Sequence, residues 1–287
     1  MKTLMYVLRA VLVFSLLLGS TIVFTGCAQS FADSRAPGNP DFQSGKAYYQ
    51  RQDYQNAVSA FQRALQSNPN GWLFRNWLGM SYYNLKEYDK AIENLKVSNR
   101  GRETADNHYF IAESYYHLGN YDKSIKHYNS FLQMGRDHFG VHYHLGMCYL
   151  EKGDYGRAIS EFNHANQMKR DIKNDAGIAK AYIRMREYAQ AAPFAKKWAL
   201  GDSYNEEAHQ LLGVVYTNLK IYDEAIKEFQ RANLIRQRDK NYEGLGDVYC
   251  KVERYSEAVD AYSKGVKITK GIEFRGRVLD KISRCRK

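Results

Sequence analysis

Small, aromatic and polar positions recur along this chain with a fixed period. The motif is a small residue, two others, Tyr, five others, Tyr, two others and Ala. It occurs as Gly45…Tyr48…Tyr54…Ala57, Gly79…Tyr82…Tyr88…Ala91 and Ala112…Tyr115…Tyr121…Ser124. It continues as Gly146…Tyr149…Tyr155…Ala158, Ala179…Tyr182…Tyr188…Ala191, Gly213…Tyr216…Tyr222…Ala225 and Gly246…Tyr249…Tyr255…Ala258. The last members step by 34, 33, 34, 33, 34 and 33 residues. After Asp41 only Pro69 and Pro193 interrupt the chain, so long helices can run almost unbroken. Each copy reads as two antiparallel helices, whose closest approach needs the small residue and the Ala. One copy cannot bury its apolar face alone, so neighbours must stack to supply the core. Gly119-Asn120, Gly153-Asp154 and Asn84-Leu85-Lys86-Glu87 supply turns between paired helices.

These seven copies resemble the tetratricopeptide repeat (TPR), a helix–turn–helix unit of 34 residues. With the Ala or Ser counted as repeat position 20, position 24 holds Phe61, Leu95, Tyr128, Phe162, Ala195, Phe229 and Tyr262. Position 27 is Ala64, Ala165 and Ala232 in three copies, and position 32 is proline only at Pro69. The fifth copy is the least regular, with Pro193 and Ala195 in its second helix. The resemblance implies an all-α, right-handed superhelical solenoid of about seven repeats across residues 38–270. Its copies are 38–71, 72–104, 105–138, 139–171, 172–205, 206–238 and 239–270, followed by a capping helix over 271–287.

The resemblance also implies a concave face lined by positions 2, 5, 9, 12 and 13 of the first helices. In the first four copies these positions hold Phe42, Tyr49, Tyr83, Tyr109, Tyr116 and Tyr143, with Met80, Met147 and Leu150. Lys46, Asn76, Asn84, Glu113 and His117 stand among them. The last three copies place Lys173, Lys180, Ile183, Arg184, Gln210, Asn218, Glu243, Asp247 and Lys251 there. The groove should therefore be aromatic at its N-terminal end and of mixed charge at its C-terminal end. Of the 24 tyrosines, 14 occupy the two scaffold positions of the motif, so only the remainder bear on binding. Groove aromatics give large contact area at low entropic cost, which suits a protein segment, extended or helical. A glycan is the alternative, because sugar faces stack on rings. The Lys/Asn/Arg set by which some TPR grooves hold a C-terminal carboxylate is absent: Phe42, Lys46 and Trp77 stand in the relevant region.

The first 26 residues read differently. Lys2 and Arg9 precede an apolar run from Ala10 to Phe24, the pattern of a secretory signal peptide. Phe24-Thr25-Gly26-Cys27 resembles a bacterial lipobox, with Phe24 in place of the usual Leu. That resemblance implies a Cys27 carrying lipid, palmitate included, at a new N-terminus. It also implies an envelope location, at the outer membrane facing the periplasm in an organism with two membranes. Cleavage at Ser30-Phe31-Ala32, or retention of the run as an anchor, are the other fates open to this segment. Residues 27–37 read as the lipidated cysteine and a flexible tether.

Charge and chemistry narrow the function. The chain has 287 residues and a net charge of +11, and its mean hydropathy of −0.60 excludes a polytopic membrane protein. Residues 264–287 alone carry +7, so the body is nearly neutral, which argues against nucleic acid as a partner. Arg275, Arg277, Lys281 and Arg284 of this tail are candidate contacts for anionic lipid or glycan, or for an acidic partner. His138, His142 and His144 form the densest histidine cluster, but Gly140 intervenes and His138 falls in the preceding turn, so no metal is expected. No CxxC, HExxH, GxSxG or GxGxxG occurs. No cofactor or catalytic residue is expected, and the reading is of a scaffold rather than an enzyme. Cys148 and Cys250 lie three repeats apart, too far for a disulfide, while Cys250 with Cys285 stays open.

Overall fold

A computed structural model describes residues 38–269 and 271–285, without the side chains of 272–274 and 285. The expectations for the leader, Cys27 and the tether lie outside these residues. Seven helical hairpins follow one another: α1 (Pro40–Gln50) with α2 (Tyr54–Ser67), α3 (Trp72–Asn84) with α4 (Tyr88–Gly101), and α5 (Ala105–His117) with α6 (Tyr121–Gln133). Then come α7 (Phe139–Lys152) with α8 (Tyr155–Met168), and α9 (Ile172–Arg184) with α10 (Tyr188–Gly201). The last pairs are α11 (Glu206–Asn218) with α12 (Tyr222–Ile235), and α13 (Asp239–Lys251) with α14 (Tyr255–Ile268). A single helix, α15 (Ile272–Cys285), closes the array. No strand occurs among the described residues. Each helix packs on its neighbours in the chain, and first helices of successive hairpins also touch, α3 with α5 and α7 with α9 among them. This is the TPR solenoid: local contacts propagate along one axis, with one layer of first helices and one of second helices.

Position 24 explains the small residue at position 8. A Cβ built at Gly146 would lie 2.7 Å from the Phe162 ring, and Phe162 also presses on Gly177 of the next copy. The ring therefore locks its own hairpin and the one that follows. The fifth copy solves the same problem with exchanged volumes. Ala195 is buried where the ring would be, and Trp198 fills the space at position 27. The helix runs through Pro193 without ending. Tyrosines at the first motif position tie neighbouring copies together through their hydroxyls. Gln62 Nε2 donates to Tyr82 at 3.0 Å, Lys96 Nζ to Tyr115 at 2.7 Å and Gln230 Nε2 to Tyr249 at 3.2 Å.

The turn inside every hairpin uses one left-handed residue: Gln52, Lys86, Gly119, Gly153, Arg186, Lys220 and Glu253, with φ between 61° and 80°. Only two of these are glycine. A side chain there costs about 1–2 kcal/mol, partly offset by the greater unfolded-state freedom of Gly. Lys220→Gly should therefore raise stability by about 0.5–1 kcal/mol, read as a higher urea midpoint at unchanged m-value. A lower midpoint would contradict the assigned turn.

The basic C-terminal helix keeps the repeat register. Arg277 reaches Glu243 at 3.0 and 3.1 Å, and Lys281 reaches Glu243 at 2.9 Å and Asp247 at 2.7 Å. Both cations thus sit one repeat length beyond their partners, as the next first helix would place them. Val278 and Ile282 are buried beneath them against the last hairpin. Two of the four expected tail contacts are engaged within the molecule, while Arg275 and Arg284 are exposed.

Candidate functional site: a tyrosine-floored groove with a lysine rim

Four successive first helices bring the site together. Tyr83 lies near the end of α3. Tyr109, Glu113 and His117 are spaced four apart on α5, so they share one helix face. Tyr143 and His144 come from α7, and Lys173 and Asn174 from the start of α9. Together with Lys169 and Asp171 in the turn before α9, and His138, Phe139 and Gly140, they line a cavity of about 520 Å³. It lies where the aromatic and mixed-charge halves of the groove meet.

Glu113 forms the floor and is 3% exposed. Tyr128 donates its hydroxyl to Glu113 Oε1, and Tyr83 donates to Oε2 at 3.2 Å. His144 Nδ1 stands 3.4 Å from Oε1 without a hydrogen bond. Burial holds His144 below its ordinary pKa, against the pull of Glu113. Burial first, and Glu113 second, push Tyr83, Tyr109 and Tyr128 above the usual phenol range, so these hydroxyls stay protonated, and those of Tyr83 and Tyr128 donate to Glu113. Asn174 is 1% exposed, and its Oδ1 has no partner among the described residues. The ring of Tyr143 packs against Phe162, with centroids 5.9 Å apart, which fixes that groove wall to the core. Lys169 caps the Phe139 ring at 4.7 Å, and Lys173 is exposed beside it. The cavity thus has a tyrosine-held carboxylate at its floor, aromatic rings on its walls, and Lys169 and Lys173 with Asp171 on one rim.

Five of the thirteen expected groove residues line this cavity: Tyr83, Tyr109, Glu113, His117 and Tyr143. Tyr109 is 7% exposed and packs on Tyr128 and Phe131, so it offers only an edge. Phe42 is 3% exposed and lies among Phe61, Phe74 and Trp77. It is a core residue, because α3 packs over its face of α1. Lys46 lies over the Phe42 and Trp77 rings, and Tyr49 accepts from Asn84 at 3.0 Å. Burial pushes Tyr49 up to about 12, and the Asn84 bond opposes it. Asn76 donates to the buried Asn107, while Met80 packs under Ile92 and Leu95. Tyr116 and Met147 are half-buried against the central core. His144, His138, Phe139, Lys169 and Asp171 are not among the expected groove residues, because they lie between the groove positions of the register or in the inter-repeat turn.

The histidines fall out in a different grouping from the expected one. His138 caps the N-terminus of α7, its Nδ1 accepting from Gly140. His142 instead meets Glu161 of α8 and Asp137, with Nδ1 2.6 Å from Glu161 Oε2 and Nε2 2.9 Å from Asp137 Oδ1. Cys148 is buried and donates to Ser124 at 3.4 Å. Burial pushes its thiol up to about 12, against that bond, so it is unreactive. Cys250 is disulfide-bonded.

Comparison with known proteins agrees with this architecture. The tetratricopeptide-repeat family model matches residues 109–168 and 177–241. A second family model, described as anaphase-promoting complex, cyclosome, subunit 3, matches residues 50–131. No curated protein matches the sequence significantly. The C-terminal part of a TPR repeat-containing protein from Cytophaga hutchinsonii superposes with a TM-score of 0.66 at 14% identity, covering 83% of this chain and 98% of that one. A TPR protein from Parabacteroides merdae gives a TM-score of 0.59 at 14% identity, over 85% of this chain and 97% of that one. The Cut9–Hcn1 hetero-tetramer of the APC/C gives 0.56 at 15% identity, over 87% of this chain and 50% of that one. These likenesses show the fold. With seven in-register hairpins and the family match across residues 109–168 and 177–241, the chain has the tetratricopeptide-repeat fold and resembles that family over its middle.

Proposed function

We propose that this protein is a non-enzymatic adaptor, tethered by lipid at Cys27 to a bacterial envelope membrane, whose concave groove holds a segment of a partner protein. The cavity at the junction of the second to fifth repeats carries this reading. It has a volume of about 520 Å³, is walled by the rings of Tyr83, Tyr109, Phe139 and Tyr143, and carries Lys169 and Lys173 beside Asp171 on its rim. A partner segment would seat apolar side chains on Tyr83 and Tyr143 and set an acidic group against the lysines. Glu113 is held by two tyrosine hydroxyls, which suits a structural floor. The lipobox-like residues before Cys27 support the tether, and assembly of an envelope, secretion or pilus machine is the setting that fits it. Cut9 and Hcn1, on a similar scaffold, form a protein assembly, which supports a protein as the occupant.

Photo-crosslinking in whole cells from position 143 should capture a defined protein, and Tyr83→Ala with Lys173→Glu should abolish the capture. Capture unchanged by those substitutions would remove the groove reading. Saturable binding of peptidoglycan or exopolysaccharide fragments, lost in the same variant, would replace the protein with a glycan. Feeding a palmitate analogue should label the wild type and not Cys27→Ser; label on both, or neither, would remove the tether.

A further inference from the structure

We infer that the fourth repeat contains a binding site for a borderline divalent transition metal, zinc first among them, formed by Asp137, His142 and His164. The three donors come from three elements: the turn before α7, α7 itself and α8. Their ligand atoms all lie within 4.8 Å of one another. Asp137 spans both rings, with Oδ1 2.9 Å from His142 Nε2 and Oδ2 3.9 Å from His164 Nε2. The imidazoles stack with centroids 4.0 Å apart. Tetrahedral ligands at zinc bond lengths stand about 3.3 Å apart. Asp137 and His164 are exposed, so modest side-chain rotations bring the donors to that spacing.

A supporting residue is already in place. Glu161 Oε2 accepts from His142 Nδ1 at 2.6 Å, which directs Nε2 outward as the ligand atom. This is the carboxylate–histidine arrangement that orients metal-bound imidazoles. Two imidazoles and one carboxylate favour zinc, cobalt, nickel or copper over calcium or magnesium. Three protein ligands leave one coordination position facing solvent, open to water or to a donor on a docked protein.

The other copies show that this set is a departure from the repeat. The position of His164 holds Arg63, Val97, Ser130, Lys197, Arg231 and Lys264 elsewhere. The third copy has Glu103 and His108 in register, but there His108 Nδ1 meets His127 Nδ1 at 3.0 Å and Ser130 supplies no imidazole. The sixth copy pairs His209 with Glu228 at 2.5 Å and has Arg231 in place of the second ring. Among the seven copies, only the fourth combines the carboxylate, both imidazoles and the supporting glutamate.

The test is titration of the full chain with Co²⁺ and then Zn²⁺, followed by calorimetry and visible absorption. One Co²⁺ per chain should bind with tetrahedral-type bands that Zn²⁺ bleaches. His164→Arg, which installs the residue of the first and sixth copies, should fold and lose at least a hundredfold in affinity. Glu161→Gln should weaken binding by about 10–100-fold while keeping the stoichiometry. Absence of saturable binding by the wild type overturns the proposal, as does wild-type affinity in His164→Arg.

Discussion

Phe162→Ala should destabilise the protein by about 3–5 kcal/mol, the range for emptying a fully buried aromatic site. The ring is 0% exposed. It meets Gly146 of its own hairpin and Gly177 of the next, so its loss opens a cavity on both sides of an inter-repeat junction. The glycines cannot refill the space, because they have no side chain to move. In a solenoid each repeat is held chiefly by its neighbours, so the damage should be directional. Hydrogen exchange should quicken in α7 to α10 before it does in α1 and α2. Urea unfolding should also lose cooperativity as the two halves of the array uncouple. A cost below about 1 kcal/mol, or exchange that quickens evenly along the chain, would show that the ring does not couple the fourth and fifth repeats.

The features legible in the sequence are those that recur. Seven copies of one motif report a helix hairpin, and the pairing of a small position 8 with a large position 24 is written in every copy that has Gly there. Gly119 and Gly153 announced the left-handed turn residue. Gln52, Lys86, Arg186, Lys220 and Glu253 adopt it too, and only the register reveals them, because their side chains give no sign of it. The groove was legible only in part. A position rule assigns a direction to a side chain but not its neighbours, so it sent Phe42 to the groove although Phe74 and Trp77 cover it. The tail showed its charge in composition, while the fold-back of Arg277 and Lys281 on Glu243 and Asp247 depends on pairing across a whole repeat. His138, His142 and His144 are neighbours in sequence, whereas the partners of His142 sit on the adjacent helix and in the preceding turn. Contacts of this kind become visible only when the copies are laid over one another as hairpins.

Removal of the Glu113 carboxyl is the second large effect expected. Glu113→Ala leaves the hydroxyls of Tyr128 and Tyr83 without their acceptor. Each buried hydroxyl so stranded costs about 1–3 kcal/mol, and the lost volume adds to it, for a total of about 2–5 kcal/mol. Glu113→Gln keeps the volume and one acceptor oxygen, so it should cost about half as much. The coupling between Glu113 and Tyr128 is what a double-mutant cycle measures. Tyr128→Phe alone removes a donor from a satisfied carboxylate and should itself destabilise. In the Glu113→Ala background it should cost much less, since the stranded hydroxyl disappears with it. The expected interaction energy is about 1–3 kcal/mol by urea unfolding at neutral pH. Tyr143→Ala, which touches neither oxygen, should add to Glu113→Ala without coupling. Strict additivity of Tyr128→Phe with Glu113→Ala would mean that the carboxylate and the tyrosine do not share the bond that holds the groove floor in place. The groove would then rest on ring packing alone, and its binding strength should survive the loss of Glu113 in every variant that remains folded.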